Sequence, residues 1–414
     1  MAVKKGYRLA IKTIGCRLNQ AESQDLAAQL DQAGFRIVSE KSAADILVVN
    51  SCAVTLAATR KSRQVLRAYR HRWPRTAVVV LGCSEPELRA LPELSLAINR
   101  IDKNRAAEII KKHFRFPEKQ KRKIQAKLLN RRTRALLKIQ DGCDEFCTYC
   151  IVPFRRGKPH SVPLSKVLAN IRKWDAVGVK EIVLTGVHIG GYRSRGVDFA
   201  GLVRKILEQS GIPRIRFSSL EPQHLTPEIV ALFRSPRVCP FLHLPIQSGQ
   251  DEILAAMHRR YSVARLISLV RSVRKVVPKI FLSTDVIVGF PGETEAHFRR
   301  TVALCRRLHF AKIHVFSYSI REGTRASLYP NQLGPETIAR RSRLLRRVSD
   351  RLNLEYRQRQ VGKQAAVLLE TPRAGISRDG LKISLDPGGK TNTEVIAQIT
   401  AVTANQTLAK LIRH

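Results

Sequence analysis

Asp141-Gly142-Cys143-Asp144-Glu145-Phe146-Cys147-Thr148-Tyr149-Cys150 places three thiols within eight residues, directly after an apolar strand-like run. Thiolates at that spacing can wrap one cubane iron–sulfur cluster, which takes one cysteine per iron and leaves a fourth iron open to a reactant. A zinc site would want a fourth Cys or His at matching spacing, and no nearby His completes such a set. Three more cysteines each follow a β-branched run within one or two residues: IKTIG-Cys16, ILVVNS-Cys52 and VVVLG-Cys83. Parallel strands bring their carboxyl ends to one edge of a sheet, so these thiols are expected to converge on a second three-cysteine site. Cys239, in a Pro-flanked turn, and Cys305, on a helical face with Phe298 and Val302, read as structural.

The elements that must position these thiols follow from periodicity. From Tyr7 to about Asn104, short β-branched runs alternate with amphipathic stretches of helical length, which predicts a βαβαβ unit with a small parallel sheet. From Lys111 to Arg134 the chain is strongly basic and loses its apolar period, as expected of a connector that touches RNA or of a solvated charged helix. From Ala135 to about Ser319, six strand candidates (ALLKIQ, EIVLTG, RIRFSSL, FLHLPIQ, FLSTDVIVG and KIHVFSY) are mostly separated by helical stretches. Six parallel strands with right-handed crossovers suit an open or partial β/α barrel, whose ligands sit at the carboxyl ends of its strands. Leu184-Thr185-Gly186, Ser218-Ser219-Leu220-Glu221 and Ile287-Val288-Gly289-Phe290-Pro291-Gly292-Glu293 fall at such ends; each is weak alone, and their joint placement singles them out. A long helix from about Pro335 to Gln360 precedes a tail that reads as a small antiparallel β-barrel. The expected fold is therefore α/β, divided as 1–110 (small parallel α/β domain), 111–134 (basic connector), 135–357 (partial β/α barrel) and 358–414 (small β-barrel).

Composition sets the setting. The 414 residues suffice for two or three domains. Their 74 Lys+Arg against 33 Asp+Glu leave a net charge of +41, which points to a polyanionic partner, nucleic acid before any other, against the plainer reading of a solvated basic surface. The N-terminus lacks the apolar core of a signal peptide, and no apolar run nears the roughly 20 residues needed to span a bilayer. A soluble cytoplasmic protein with reduced thiols and no membrane partner is expected, where clustered cysteines serve metals or catalysis in preference to disulfides.

The CxxxCxxC loop after the first barrel strand resembles that of the radical S-adenosylmethionine (SAM) enzymes. The double cysteine set is similar to that of the methylthiotransferases over essentially the whole chain: Ile14-Gly15-Cys16-Arg17-Leu18-Asn19, Asn50-Ser51-Cys52-Ala53-Val54-Thr55, Lys61-Ser62-Arg63, Gly82-Cys83, the Cys143 loop and the tail from about Val361. This resemblance implies two [4Fe-4S] clusters, an auxiliary one on Cys16, Cys52 and Cys83 and a SAM-binding one on Cys143, Cys147 and Cys150. It also implies SAM contacts from Tyr149, Thr185, Gly186, Ser219, Glu221, Gln247, Asp285, Val288 and Gly289, an RNA-binding terminal module of the TRAM type, and an electron donor such as flavodoxin or ferredoxin. Thr185 to Tyr192 and Asn50 to Thr55 look most like the branch that acts on N6-threonylcarbamoyladenosine in the tRNA anticodon loop. Sister branches act on isopentenyladenosine in tRNA or on a ribosomal-protein aspartate. The implied reaction removes hydrogen from C2 of the adenine with a 5′-deoxyadenosyl radical, inserts sulfur from the auxiliary cluster and methylates it with a second SAM. An aromatic C–H offers no acidic proton, so no side-chain acid or base is nominated. One departure is Val162, where relatives commonly carry Arg; neighbouring Arg155, Arg156 or Lys158 can substitute. A non-catalytic RNA-binding iron–sulfur sensor would explain the charge and the cysteines but has no use for the strand-end motifs.

Overall fold

The β-branched runs that open the chain pair as parallel strands. In the computed structural model, residues 7–99, 101–115 and 133–413 are described. Strands β1 (Arg8–Thr13), β2 (Arg36–Val38), β3 (Ile46–Ser51), β4 (Ala77–Gly82) and β5 (Leu96–Ala97) form a sheet in the order β2-β1-β3-β4-β5. The three long strands are the expected ones; β2 and β5, of three and two residues, are too short to show a period of their own. All of β3 is buried because helices cover both sheet faces. Ile46 and Val48 meet Leu26 and Leu30 of α1 (Arg17–Gln32), while Leu47 and Val49 meet Leu66 and Tyr69 of α2 (Leu56–Arg72).

The basic stretch expected as a connector lies largely outside the described residues. Its first residues belong to a helix, Ala106–His113, and its last residue begins the barrel.

Six parallel strands build that barrel as two three-stranded halves. One half orders β8 (Arg214–Phe217), β7 (Glu181–Thr185) and β6 (Arg134–Lys138); the other orders β9 (Phe241–His243), β10 (Phe281–Val288) and β11 (Lys312–Ser317). Two isolated parallel bridges, Ile215 to Val238 and Ser219 to His243, join β8 to the second half. The run FLHLPIQ stays extended for three residues because Pro245 removes a donor and Gln247 takes a positive φ of 63°. No ladder joins β6 to β11 among the described residues, and the N-terminal domain fills that gap. Helix α1 packs along β6, and Leu56 at the start of α2 donates its backbone N–H to Ser319 Oγ beyond β11 at 3.4 Å.

Helix α3 (Pro335–Gln358) leads to a closed barrel of β12 (Gln364–Thr371), β13 (Ala374–Ser377), β14 (Lys382–Leu385), β15 (Glu394–Val402) and β16 (Thr407–Arg413). Its ladders are antiparallel, as expected, except where β14 meets β16, a parallel pair that closes the ring. A buried ionic cluster fixes this barrel to the first. Glu181 accepts from Arg134 at 2.8 Å and Arg216 at 2.8 Å and lies 3.0 Å from Arg214. Arg214 and Arg216 reach onward to the carbonyls of Ile376 and Ser377. Among the described residues no helix is long and apolar enough to cross a membrane.

Candidate active site

At the carboxyl edge of the N-terminal sheet, hydrogen bonds knit three cysteine-bearing turns together. Asn19 Nδ2 donates to the carbonyls of Ile14 at 2.9 Å and Ser51 at 2.8 Å, tying the end of β1 to the end of β3. Ser51 Oγ donates to the Leu81 carbonyl at 2.8 Å, and the Cys83 N–H donates to the Ser51 carbonyl, tying β3 to β4. Gly15 makes the closeness possible. With φ at +111°, an added Cβ would stand 2.6 Å from Cys52 Cβ and 2.8 Å from its Sγ. Burial pushes the Cys52 thiol up to about 11; the nearby sulfurs of Cys16 and Cys83 add to the rise, and the Val54 N–H and Arg156 oppose it. Three crowded thiols with no carboxylate or imidazole among them form a soft donor set suited to iron–sulfur ligation, where bound iron supplies the missing positive charge.

The second trio sits on the loop between β6 and a short helix, Val152–Arg156. The Glu145 N–H donates to Cys143 Sγ at 3.5 Å, and Arg259 Nη1 donates to Cys147 Sγ at 3.3 Å. Burial raises the Cys143 thiol to about 11 and the Cys150 thiol to about 12, with repulsion from neighbouring sulfurs added. This loop also fits a bound cluster: donors are aimed at the sulfurs of Cys143 and Cys147, and the thiols of Cys143 and Cys150 ionise poorly without a cation.

Beside Cys150 lies a cavity of about 150 Å³, lined by Val54 and Thr55 of the N-terminal domain and by Tyr149, Cys150, Gln247, Asp285 and the segment from Phe316 to Ser319 of the barrel. Ile151, next to Cys150, packs on Ala53 and Cys83 in one small buried cluster.

The strand-end residues divide by position. Tyr149, Gln247 and Asp285 line the cavity, and the buried Oε1 of Gln247 has no partner among the described residues. Glu221 is ion-paired with Arg259, the residue that also reaches Cys147. Thr185 is buried at the end of β7, and an added Cβ on Gly186 would press on the Gln140 carbonyl at 2.8 Å. Ser219 bridges to His243. Val288 and Gly289 lie outside the cavity lining; an added Cβ on Gly289 would strike Ile338 of α3 at 2.4 Å, so this glycine serves helix packing. Val162 packs partly buried against the barrel core.

The seam between the domains carries charges that periodicity does not mark. Arg156 donates to Asn19 Oδ1 at 2.6 Å, Glu22 Oε1 at 3.0 Å and Asp141 Oδ1 at 2.9 Å. Lys138 joins Glu22 at 3.0 Å and Asp141 at 2.6 Å, and Lys103 also grips Glu22. Burial works to raise the Glu22 pKa, but Lys103, Arg156 and Lys138 outweigh it and hold the carboxyl well below its usual range. On the far side of the seam, Glu87 accepts from Arg155 at 2.7 Å and Arg321 at 3.2 Å.

The chain matches the Radical SAM superfamily over residues 137–305 and an uncharacterized protein family, UPF0004, over residues 8–95. It is 34% identical over 374 residues to the threonylcarbamoyladenosine tRNA methylthiotransferase MtaB of Thermotoga maritima, covering 87% of this chain and 86% of that one. It is 33% identical over 427 residues to the tRNA-2-methylthio-N(6)-dimethylallyladenosine synthase of Lawsonia intracellularis, covering 95% and 93%. Among solved structures, the radical SAM methyltransferase TsrM of Kitasatospora setae shares the fold, with a TM-score of 0.55 over 75% of each chain at 12% identity.

Proposed function

This chain belongs to the methylthiotransferase family of radical SAM enzymes, and from that premise we propose that it places a methylthio group on C2 of N6-threonylcarbamoyladenosine in the anticodon loop of tRNA. Cys143, Cys147 and Cys150 hold the [4Fe-4S] cluster that binds SAM, and Cys16, Cys52 and Cys83 hold an auxiliary one. With SAM and an electron from a small donor such as flavodoxin or ferredoxin, the first cluster supplies the radical chemistry that an aromatic C–H bond requires.

The observation that carries this reading is the junction at Ile151. Sulfur insertion needs both centres within reach of one substrate atom, and here Ile151, the residue after Cys150, packs on Cys83, while Cys150 lines a cavity that Val54 and Thr55, two and three residues past Cys52, also line. Tyr149, Gln247 and Asp285 contact SAM from the cavity wall, and the unpartnered Gln247 Oε1 accepts from its donor groups. Arg259 positions Cys147 and Glu221 together. Thr185, Gly186 and Ser219 shape the surrounding strand ends, with Val288 and Gly289 holding α3 in place behind them. The units act as 1–110 for the auxiliary centre, 135–357 for SAM and 358–414 for RNA. The terminal barrel and the net charge of +41 support tRNA binding through its phosphates.

The test is anaerobic turnover of reconstituted protein with SAM, a strong one-electron reductant and anticodon stem-loop RNA bearing either threonylcarbamoyl- or isopentenyladenosine. A methylthio product from the first RNA supports the proposal, and a product from the second alone transfers the chain to the sister tRNA branch. Failure to form 5′-deoxyadenosine above a Cys143→Ala control leaves the non-catalytic sensor.

A further inference from the structure

Strands β6, β7 and β8 are neighbours in one half of the barrel, and the segment after each carries a side chain able to ligate a metal. Glu145 stands in the cysteine loop after β6, His188 lies three residues past β7, and His224 closes the turn Pro222–His224 after β8. Parallel strands bring such positions to one edge. One ligand atom from each residue lies within 4.8 Å of the other two. Glu145 Oε1 is 3.9 Å from His188 Nδ1 and 3.8 Å from His224 Nε2, and the two imidazoles meet edge to face with centroids 4.3 Å apart.

These separations are too long for hydrogen bonds, which close at about 2.7–3.2 Å. His188 is 6% exposed, and its Nε2 is buried without a partner among the described residues, as is His224 Nε2. Buried nitrogens left so are costly unless a ligand satisfies them. The same separations suit donors that share one ion: bonds of about 2.0–2.1 Å at a tetrahedral angle set donors about 3.4 Å apart, a closure of roughly half an ångström. Local structure holds the set in place. The His188 N–H donates to Gln140 Oε1 at 2.7 Å, and the His224 N–H donates to the Glu221 carbonyl at 3.0 Å. Gly190 permits the approach of the two histidine turns, since an added Cβ would stand 2.5 Å from His224 Cβ. Arg260 faces the other carboxylate oxygen, Oε2, at 3.9 Å and leaves Oε1 to the imidazoles.

We propose that Glu145, His188 and His224 bind a divalent transition-metal ion of the zinc class, separate from both iron–sulfur clusters. Two imidazoles and one carboxylate are the donors such an ion takes, with a further position for water. None of the six clustered cysteines belongs to this set. The ion ties the loop that carries Cys143 and Cys147 to the ends of β7 and β8. Glu145 also donates its N–H to Cys143 Sγ at 3.5 Å, so the loop is held at the residue that touches its first thiol. The role is positional, and it stands whichever tRNA nucleoside is the substrate.

The test loads reconstituted enzyme with zinc in the absence of SAM, removes loose metal by gel filtration, and reads metal content and zinc X-ray absorption. Zinc is the probe because it outcompetes ferrous iron for nitrogen and oxygen donors. Wild-type protein is expected to keep about one zinc per chain beside its full iron content, in a nitrogen and oxygen shell at about 2.0–2.1 Å with imidazole scattering beyond it. His224→Ala should keep its iron and bind zinc at least about a hundredfold more weakly. Wild-type enzyme that retains no zinc, or holds it in a sulfur shell at about 2.3 Å, overturns the proposal, as does equal zinc binding by His224→Ala. His188→Gln is read in parallel, so that a loss of iron or of folding in one variant leaves the other to decide. If both variants lose iron, the wild-type shell decides alone.

Discussion

Arg156, just beyond the barrel's cysteine loop, donates its Nη2 to Oδ1 of Asn19 at 2.6 Å, and Asn19 is the residue that clasps the turns around Cys16 and Cys52. One guanidinium therefore links the barrel loop to the scaffold of the N-terminal thiols. Replacing it with Met leaves Glu22 and Asp141 buried with fewer partners. The expected loss is about 1–3 kcal/mol, below the roughly 3–5 typical of a broken buried pair, because Lys103 and Lys138 remain. Urea unfolding measures the loss. Arg156→Lys should recover little, since a single ammonium nitrogen cannot take the places of Nη1, which serves Glu22 and Asp141, and Nη2, which serves Asn19.

Gly15→Ala tests the close approach of the turns. The methyl group meets Cys52 at 2.6 Å on a backbone with φ of +111°, so the two strand ends must separate. Far-UV circular dichroism should be unchanged while iron and sulfide per chain fall by roughly half, one cluster of two. Full iron content in the variant would show that the turns tolerate separation.

Acid sensitivity should trace in part to Glu181. Burial works to raise its pKa, but Arg216, Arg134 and Arg214 together hold the carboxyl at about 2, against an ordinary 4.5. A depressed carboxylate contributes stability that is complete above the unfolded value and is lost as pH falls toward the folded one. The urea midpoint should therefore hold from pH 7 to about 5 and drop below about 4.5. Glu181→Gln should lower the midpoint at neutral pH and flatten that acid limb.

RNA affinity should be dominated by phosphate contacts. A net charge of +41 implies counterion release on binding, and a tRNA dissociation constant that rises about a thousandfold or more between 50 and 200 mM salt is the expected signature. A nearly flat salt dependence would contradict a basic surface that tracks the backbone.

Local chemistry exposed much of this design in the sequence. Each thiol of the N-terminal trio sits one step past a β-branched run, and alternation of strand and helix makes those steps converge at one sheet edge. The charged seam was not legible, because Glu22, Asp141 and Arg156 read as ordinary polar residues until α1 is laid along β6. Short elements such as β2, β5 and β13 carry too few residues to show a period, and the parallel closure of β14 on β16 is a property of the ring, invisible in either strand. Gly289 is expected at the cofactor from its place after a strand; its φ of 81° and the packing of Ile338 add a second demand on this glycine that the sequence did not show.

Replacing Cys16, Cys52 and Cys83 together by Ala tests the division of labour between the two thiol sets most directly. With SAM, reductant and threonylcarbamoyladenosine-bearing RNA, the variant should still release 5′-deoxyadenosine while forming no methylthio nucleoside. Methylthio product at the wild-type level from that variant would contradict the account.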